Sequence, residues 1–524
     1  MRPEEIKNYY VETQADREII DAIKGRNPVI LVGSRGIGKS ILLKVAEQEM
    51  ITNLSAEGVL PVYVSFIKNS LLNSTDPEQF THWMLARLCS QLIRALRKTG
   101  LISASRSTLS ILSGGPTSSI MNRTRIEDIK QAYEDSWKTP NQPIDITGLP
   151  SVDDVKEAIE ELCDEIGIRR ISFLIDEAAH ILWPEQQRAF FTLFRDLRSP
   201  YISCNAAVYQ GVTAYGDSFQ PTHDANMRVL ERDILSGTYV KHMREIVEKQ
   251  ADSKTVKEIS QQGERFAVLA YAATGNPRLL LTTVKNMPKI GGTEINQAIR
   301  TYYRNDIWSE HSSLAERYAG YKNLVDWGRK FIEEEVLPEL QKKNIQYMAD
   351  DKSTSCFFWI SREAPQPVKE ALRLLSYVGI VSEHATGIKA TRGLIGTRYA
   401  VNLGCLLALE AVPTDTGFRI ATSLTPKRMS EYGANHPAFA PIANEIVDNS
   451  AINPALGPQL SKQITVLDIT PWLSQGLQEI GINTIGDILS TSESDIRQIP
   501  YVGEIRARKT RNTAMAAVFE YLSS

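Results

Sequence analysis

A short glycine-rich stretch near the amino terminus has the residue types and spacing of a phosphate-binding loop. The residues GSRGIGKS match the pattern G-x-x-x-x-G-K-[ST]. Glycines let successive backbone N–H groups converge on phosphate oxygens, because no Cβ stands in the way. Lys39 is predicted to reach the β- and γ-phosphates of ATP, and Ser40 to hold Mg²⁺. The residues predicted to line the nucleotide are Gly33, Ser34, Arg35, Gly36, Ile37, Gly38, Lys39, Ser40 and Ile41.

Two carboxylates at the end of a second apolar run could supply the acid–base chemistry of phosphate transfer. Residues 171–175 read ISFLI, which is typical of a buried strand, and Asp176 and Glu177 follow directly. Asp176 is predicted to order Mg²⁺ through its water shell, and Glu177 to polarise the attacking water as general base. Together with the glycine-rich loop, this pair predicts an ATPase with ATP and Mg²⁺ as its cofactors. A strand-to-helix turn without a ligand is the alternative.

These residues need a parallel sheet that brings strand ends to one edge. The apolar runs that predict its strands are residues 29–32, 62–66, 171–175, 202–209 and 228–234. Ser151 and Asp154 form a capping box that predicts a helix ending at about residue 167. The predicted fold class is therefore α/β, a P-loop parallel sheet with a helical lid. A polar stretch at about 100–150 is predicted to be an insertion, partly loop, with no readable chemistry.

Length and composition limit the remaining possibilities. At 524 residues the chain predicts about two to four domains, because a single hydrophobic core does not grow that large. Its 5 cysteines are scattered without metal-ligand spacing, which predicts a reducing cytoplasmic location with neither disulfides nor a zinc site. No stretch is long and apolar enough to span a bilayer, so no membrane partner is predicted. The net charge of −3 decides nothing about nucleic acid, because binding depends on local patches.

A second motif, YAATGNPRLLL, follows the predicted sheet and contains Gly275, Asn276, Pro277 and Arg278. It resembles the sensor 2 motif of the AAA+ ATPases, and specifically of their origin-recognition and replication-initiator clade. The resemblance implies that Arg278 reaches from a small helical lid onto the γ-phosphate, where a guanidinium couples phosphate state to lid angle. The alternative is a capped helix start with a surface arginine.

Two further roles are implied by this resemblance. By analogy, Arg228 or Arg232 is an arginine finger that completes a neighbouring subunit's site, which implies a homo-oligomer. The alternative is that both are surface residues at a strand end. No Asn or Thr clearly ends the fourth strand, so the candidates for sensor 1 are Tyr209, Gln210 and Thr213. Signalling ATPases of the STAND class share this layout, including a Gly-x-Pro element in the lid.

Beyond residue 305, the order of helix, short strand, helix and hairpin resembles a winged helix, which the initiator clade carries in this place. Residues 367–375 begin the predicted recognition helix, and residues 387–403 form a predicted basic hairpin, or wing. The side chains predicted to contact DNA phosphates are Lys369 and Arg373 on the helix and Lys389, Arg392 and Arg398 on the wing. A winged helix that only packs or docks a protein is the alternative.

The last part of the chain is typical of a linker followed by a small helical unit. Six prolines between residues 411 and 464 predict a linker or a loosely wrapped arm. Residues 465–524 resemble an all-α helix-hairpin-helix module, and more closely the carboxy-terminal domain of the bacterial RNA polymerase alpha subunit. Its basic corner reads QIPYVGEIRARKTRN, and the residues predicted to contact a DNA backbone there are Gly503, Arg506, Arg508 and Lys509. A hairpin that holds a protein-docking module together is the alternative.

Two functions follow from these motifs. The first is an ATP-hydrolysing AAA+ ATPase that couples nucleotide state to DNA binding, oligomer assembly or both, for example in antiviral defence or a mobile-element system with a separate effector protein. The second is a STAND-like switch whose carboxy-terminal half recognises a protein partner without DNA. The predicted domains are an ATPase core at 1–238, a lid at 239–305, a winged helix at 306–410, a linker at 411–464 and a helix-hairpin-helix unit at 465–524.

Overall fold

The structure of this chain is a computed structural model. It describes residues 6–66, 77–101, 106–115, 123–136, 143–178, 184–211, 213, 215–216, 218–317, 321–443 and 460–522. Buried hydrophobic side chains form one core on each face of a central sheet. A third core runs from the helices that follow the sheet to the carboxy-terminal helices.

A five-stranded parallel sheet forms the centre of the amino-terminal part. Its strands are β1 (Val29–Gly33), β2 (Val59–Ser65), β3 (Arg170–Asp176), β4 (Ile202–Tyr209) and β5 (Asn226–Val229). Their spatial order is β2-β3-β4-β1-β5, and all pairs are parallel. Burial of the inner strands on both faces explains their continuous apolar runs. The sheet and its helices confirm the predicted α/β P-loop fold class.

The fifth strand differs from its prediction. The sequence predicts a strand at 228–234, whereas β5 ends at Val229. Leu230 N still donates to the Val32 carbonyl. After Gly33, however, β1 turns into the glycine-rich loop, so the ladder has no further partner carbonyl and the strand ends.

Helices cover both faces of the sheet. They are α1 (Ile6–Tyr9), α2 (Gln14–Lys24), α3 (Lys39–Thr52), α4 (Leu54–Glu57), α5 (Pro77–Thr99), α6 (Arg106–Ser113), α7 (Arg125–Asp135), α8 (Val152–Ile166), α9 (Pro184–Asp196) and α10 (Pro221–Asp224). Ser151 caps α8 through the predicted capping box with Asp154, and Gly167 ends it at a φ of 67°. The described part of the predicted insertion contains α6 and α7, which bury Leu112 and Ile129 beside α5.

Five helices follow the sheet and form the predicted lid. They are α11 (Tyr239–Gln250), α12 (Ser253–Ser260), α13 (Gly263–Ala272), α14 (Pro277–Asn286) and α15 (Gly292–Thr301). Asn276 caps α14, and Pro277 occupies its first turn, where a missing N–H costs nothing. The GNPR motif therefore lies at the start of a lid helix.

A second sheet lies in residues 302–443, here called the wing region. Its helices are α16 (Ile307–Arg317), α17 (Lys322–Lys330), α18 (Leu337–Ala349), α19 (Gln366–Val378), α20 (Leu403–Leu407), α21 (Pro413–Thr422) and α22 (Ala440–Ala443), with π-helical turns at Tyr302–Asp306 and Phe331–Val336. Its strands are β6 (Phe357–Ser361), β7 (Val381–Lys389), β8 (Ile395–Val401) and β9 (Ser430–Tyr432), in the order β7-β8-β6-β9. The succession of strand, helix and hairpin is the predicted one, and its assignment as a winged helix stays a prediction.

Part of the predicted linker is packed into the wing region. The sequence predicts a linker from residue 411, whereas α21, β9 and α22 lie between residues 413 and 443. Pro413 begins a helix here instead of breaking one, because a proline fits its first turn. Strand β9 pairs in parallel with β6, and Phe439 is buried. Residues 444–459 of the predicted linker lie outside the described residues.

Four helices form the carboxy-terminal unit. They are α23 (Pro471–Glu479), α24 (Ile485–Ser490), α25 (Glu493–Ile496) and α26 (Glu504–Leu522). Helix α26 packs against α19, where Asn512 Nδ2 donates to the Ala364 carbonyl at 3.2 Å. The unit is thus joined to the wing region, and its helix-hairpin-helix assignment stays a prediction.

Two further predictions from the sequence concern disulfides and membrane-spanning helices. All five cysteines are free and buried. In the described ranges, no helix combines the length and apolarity needed to cross a membrane.

Candidate functional site

The carboxyl ends of three adjacent strands form the edge at which the predicted site residues meet. Because β4 lies between β1 and β3, Gly33, Tyr209 and Asp176 come side by side, and Gly33 is paired in register with Tyr209. A cavity of about 350 Å³ opens over this edge. Its lining includes residues 35–41, Asp176 and Glu177. The structure therefore brings most of the predicted phosphate-binding and catalytic residues together.

The shape of the loop depends on two glycines. Gly36 and Gly38 have φ angles of 86° and 114°, in the left-handed region that residues with a Cβ rarely adopt. Gly38 precedes α3, so the unpaired N–H groups of the first helical turn face the cavity. Ser40, in the same turn, is exposed and lines the cavity. The loop thus presents backbone donors and a hydroxyl to the same space.

Lys39 is almost buried, with 7% of its surface exposed. Its Nζ donates to the carbonyl oxygens of Gly33 and Ser34 at 2.7 and 2.9 Å. The ammonium also lies 4.2 Å from the centre of the Tyr209 ring. Burial lowers the pKa of Lys39 to about 8, against the opposing attraction of two nearby carboxylates. An anion that reached this ammonium would favour its protonated form.

We expect nucleotide affinity to fall as the pH rises above the pKa of Lys39. The free lysine loses its proton near pH 8, and phosphate oxygens bind the charged form, so binding at higher pH must take up a proton. The slope should approach about tenfold per pH unit, because one proton is taken up. Titration with a fluorescent ATP analogue from neutral to alkaline pH measures it. An equal slope in Lys39→Ala would contradict this role of the lysine.

Tyrosine hydroxyls hold the carboxylate of Asp176, which ends β3, and that of Glu177, which follows it. Asp176 is 6% exposed, and its Oδ2 accepts a 2.6 Å hydrogen bond from Tyr63. Glu177 adopts a φ of 59°, which is rare for a residue with a side chain, so the strand does not set the direction of its carboxylate. Its Oε2 accepts a 2.7 Å hydrogen bond from Tyr209. These contacts orient both carboxylates beside the cavity.

Of the three sensor 1 candidates, Tyr209 is the one that lines the cavity. Gln210 Nε2 instead donates to the Glu383 carbonyl of the wing region at 2.8 Å, and Thr213 Oγ1 donates to the Tyr209 carbonyl at 2.7 Å. Burial, together with the charge of Glu177, raises the pKa of Tyr209 above its usual range. The hydroxyl therefore stays protonated and remains a donor. The sensor 1 role itself stays a prediction.

Asn276 joins the lid to the glycine-rich loop. Its Nδ2 donates to the Arg35 carbonyl at 2.7 Å, while its Oδ1 accepts from the N–H of Arg278. A Cβ on Gly36 would lie 2.7 Å from Asn276 Oδ1 and 2.8 Å from Arg278 Cβ, so a larger residue would push the lid away. Arg278, the predicted sensor 2 residue, is exposed into the cavity that contains Lys39.

The remaining wall of the cavity is less polar and ends at a buried ion pair. The apolar and aromatic residues there include Tyr10, Val11 and Ile246. Arg232 also lines the cavity, and its Nη1 lies 2.8 Å from Asp16 Oδ1, with 8% and 0% of the two side chains exposed. The pair ties the segment after β5 to α2.

Comparison with known protein families identifies the family to which this chain belongs. A model of the ORC-CDC6-like family matches residues 1–363, well over half of the sequence. The chain belongs to the ORC-CDC6-like family. This membership confirms the predicted resemblance to the origin-recognition clade of the AAA+ ATPases. No curated protein gives a significant match.

Three of the solved structures similar to this ORC-CDC6-like chain share little sequence with it. A Walker-type ATPase of Pyrococcus abyssi is 12% identical with a TM-score of 0.40, over 78% of this chain and 96% of that one. The ORC1 protein of Aeropyrum pernix, in complex with DNA, is 11% identical with a TM-score of 0.33, over 77% and 91%. The ORC2 protein of Aeropyrum pernix, in ADPNP–ADP complexes, is 11% identical with a TM-score of 0.33, over 79% and 96%. TM-scores this low carry no property of these proteins over to this chain.

The structure separates the two arginine-finger candidates of this ORC-CDC6-like chain. Arg232 lines the cavity of its own chain and pairs with Asp16, so its role as an arginine finger stays a prediction and requires this buried pair to open. Arg228 lies within β5 at the edge of the sheet and is partly exposed. Its role as an arginine finger stays a prediction.

Two of the predicted DNA contacts in the wing region are exposed. Lys389 ends β7, and Arg392 lies in the turn that leads to β8. Gly393 closes this turn at a φ of 75°. Both cations therefore project from the tip of the hairpin, where a phosphate backbone could reach them.

Of the other three predicted contacts of the wing region, two are bonded within the protein and Lys369 is half-buried. Arg398 Nη1 donates to the Pro426 carbonyl at 2.8 Å. Arg373 pairs with Glu370 at 2.7 Å, with 16% of each side chain exposed. Lys369 is half-buried, and burial lowers its pKa. A DNA contact by Arg373 or Arg398 stays a prediction, and it requires these bonds to open.

The basic corner of the carboxy-terminal unit contains one left-handed residue, and its predicted DNA contacts differ in exposure. The left-handed residue is Tyr501, with a φ of 63°, whereas Gly503 does not have a positive φ. A Cβ added to Gly503 would meet nothing within 4 Å, so the backbone is open to a partner there. Arg506 and Lys509 are exposed on α26, whereas Arg508 is 14% exposed and paired with two glutamates.

Sequence reasoning missed three polar partners in and around the site. Tyr63 was within reach, because a tyrosine near the carboxyl end of a predicted parallel strand must approach the same sheet edge. Glu310 of α16 pairs with Arg35 of the loop at 2.5 Å. Asp16 lies 216 residues from its partner Arg232, and Glu310 lies 275 residues from its partner Arg35. No local pattern in the sequence predicts such a pair.

Proposed function

We propose that this ORC-CDC6-like protein binds ATP in the cavity and hydrolyses it to ADP and phosphate. One observation carries the proposal. Lys39, Asp176, Glu177 and Arg278 come from the loop, the sheet and the lid to a single cavity of about 350 Å³. The loop end suits the phosphates, because helix α3 begins there, and the less polar wall around Tyr10 suits a base.

Ser40 and Asp176 are the residues that would hold Mg²⁺. Both line the same cavity, and both supply oxygen ligands, the donor type that Mg²⁺ prefers alongside waters and phosphate oxygens. The metal would neutralise charge on the transferred phosphate.

The remaining residues would each have a separate role in ATP hydrolysis. Glu177 would take a proton from the attacking water as general base. Lys39 would stabilise the β- and γ-phosphates, and Arg278 would reach the γ-phosphate from the lid. Because Asn276 ties the lid to the Arg35 carbonyl, a change at the γ-phosphate would alter the lid angle.

We further propose that nucleotide state is coupled to DNA binding and to assembly of a homo-oligomer. The loop, the lid and α16 are joined through Arg35, so movement at the phosphates has a route to the wing region. The exposed cations at the hairpin tip and at the carboxy-terminal corner are the DNA contacts in this proposal: Lys389, Arg392, Arg506 and Lys509. Family membership favours this function over the STAND-like alternative. A separate effector protein, as in antiviral defence, and a cytoplasmic setting supported by five free cysteines belong to the same proposal.

Replacing Lys39 with alanine tests both halves of this proposal. We expect about a hundredfold loss of ATP affinity, because two or more charged hydrogen bonds to phosphate are removed. The ATP-dependent difference in DNA affinity should disappear as well. Titration with a fluorescent ATP analogue and fluorescence anisotropy with duplex DNA measure the two effects. Lys241→Ala, which removes a lysine 80% exposed on the lid, is the matched control. Unchanged ATP affinity and unchanged DNA binding in Lys39→Ala would refute the proposal.

The same DNA titration, repeated at several salt concentrations, locates the phosphate contacts. Removing Lys389 and Arg392 together, or Arg506 and Lys509 together, should reduce the slope of log affinity against log salt by about two, since each lost contact contributes about 0.9. Lys330, 69% exposed in the wing region, provides the control substitution. If neither pair changes the slope, these four cations do not contact DNA.

A further inference from the structure

The ring of Tyr209 connects the proposed catalytic base to the wing region. Tyr209 ends β4, and its hydroxyl donates to Glu177 Oε2 at 2.7 Å. Because Glu177 has a φ of 59° just after β3, its carboxylate is not aligned by the strand and depends on such contacts. The position of the Tyr209 ring therefore helps to set where this carboxylate lies.

The Tyr209 ring is in turn held from the wing region. Tyr377, in the last turn of α19, packs edge-on against it with ring centres 5.7 Å apart at an angle of 66°. The two tyrosines are 5% and 7% exposed, so the contact is buried. Lys39 Nζ lies 4.2 Å from the centre of the Tyr209 ring as well. One ring thus touches the loop lysine, the carboxylate and the predicted recognition helix.

Two hydrogen bonds fasten the same interface. Gln210, which follows Tyr209, donates from Nε2 to the Glu383 carbonyl at 2.8 Å. Leu403 N of the wing region donates to Thr274 Oγ1 of the lid at 2.7 Å. A displacement of α19 and β7 relative to the sheet would therefore pull on the end of β4 itself.

We propose that Tyr377 is a positioning residue for ATP hydrolysis, supplied by the wing region and acting through Tyr209 on Glu177. The inference rests on the proposed ATPase function and adds to it the segment that controls the base. It assigns the predicted recognition helix a second role: when α19 stays in place, the Tyr209 hydroxyl holds the carboxylate beside the phosphate end of the cavity. When α19 shifts, the carboxylate loses that support and hydrolysis slows.

Steady-state ATPase kinetics on four variants of the full chain test this inference. Tyr209→Phe removes the hydroxyl and should lower kcat about tenfold, the loss of one hydrogen bond to a charged group. Tyr377→Ala removes the ring that packs on Tyr209 and should lower kcat about fivefold, while Tyr377→Phe keeps that ring and should retain at least about half of the wild-type kcat. The double variant Tyr209→Phe/Tyr377→Ala should match Tyr209→Phe within about twofold, because both changes act through one contact.

Two further readouts separate positioning from damage to the fold. KM and the affinity for a fluorescent ATP analogue should stay within about twofold of the wild type in every variant, because no phosphate ligand is removed. Tyr399→Ala, which removes a ring packed on Phe358 inside the same region, should leave kcat unchanged if only the contact to Tyr209 matters. Tyr377→Leu replaces Tyr377→Ala if the latter does not fold.

The outcomes distinguish this inference from the function on which it rests. If Glu177→Gln and Lys39→Ala keep full turnover, the proposed ATPase site is wrong. If those two variants are inactive but folded Tyr377→Ala or Tyr377→Leu keeps wild-type kcat, the positioning role of Tyr377 is wrong and the ATPase stands. A loss of kcat of about fiftyfold in the double variant, the product of the two single losses, would also overturn the positioning role of Tyr377. Such a product is expected when two residues act independently.

Discussion

Glu177→Gln is expected to bind ATP as tightly as the wild type and to hydrolyse it at least about a hundredfold more slowly, the usual contribution of a general base. The amide has nearly the same shape as the carboxylate, and its oxygen can still accept the hydrogen bond from Tyr209. It cannot accept a proton from water at neutral pH. Phosphate release from single-turnover reactions measures the chemical step, and a fluorescent ATP analogue measures binding.

The control for this variant is a glutamate outside the site, on the lid. Glu245 is 44% exposed on α11, and Glu245→Gln should keep wild-type turnover. The Glu177→Gln protein should also accumulate in the ATP-bound form, so any ATP-dependent oligomer or DNA complex should become long-lived. Wild-type turnover in Glu177→Gln would show that another group takes the proton.

Asp16→Ala is expected to lower the free energy of unfolding of the ATPase core by about 3–5 kcal/mol, because it leaves the Arg232 guanidinium buried without its partner. Arg232 is 8% exposed and Asp16 is fully buried, so water cannot replace the lost contact. The substitution also removes half of the capping box with Thr13 at the start of α2. Thermal and urea unfolding measure the loss in the free energy of unfolding.

Two comparisons identify the cause of that loss. Asp21→Ala, on the same helix with 56% of its side chain exposed, should change stability by less than about 1 kcal/mol. Combining Asp16→Ala with Arg232→Met should restore much of the loss, since no unpaired charge remains. If the double variant is as unstable as Asp16→Ala alone, the buried charge is not the reason.

The phosphate end of the site was predictable because its residues are linked to local patterns. The glycine-rich loop, the apolar strands and the GNPR motif each carry their own spacing, and parallel strands must bring Gly33 and Asp176 to one edge. Strand β4 was predicted at the same residues as observed, and α8 ended at Gly167 as its capping pattern indicated. In each case a backbone requirement selects the residue type.

The contacts that the sequence did not reveal join residues far apart in the chain. Tyr377 meets Tyr209 because α19 packs on the end of β4. Tyr209 was a sensor 1 candidate, but no local pattern pairs it with Tyr377. Arg232 was predicted to be either an arginine finger or a surface residue, and no local pattern indicates its buried pairing with Asp16. The basic corner also contains Tyr501 in the left-handed conformation, which local propensity disfavours.

The pairing of β9 with β6 determines where this protein can be divided. Strand β9 lies some seventy residues after β6 in the chain, yet Ser430, Glu431 and Tyr432 complete the ladder beside Phe358, Trp359 and Ile360. A fragment that stopped at residue 410 would leave the N–H and C=O groups of that edge without partners, a template for pairing between molecules. Fragments intended for solution work should therefore extend through residue 443, so that the sheet keeps its own last strand.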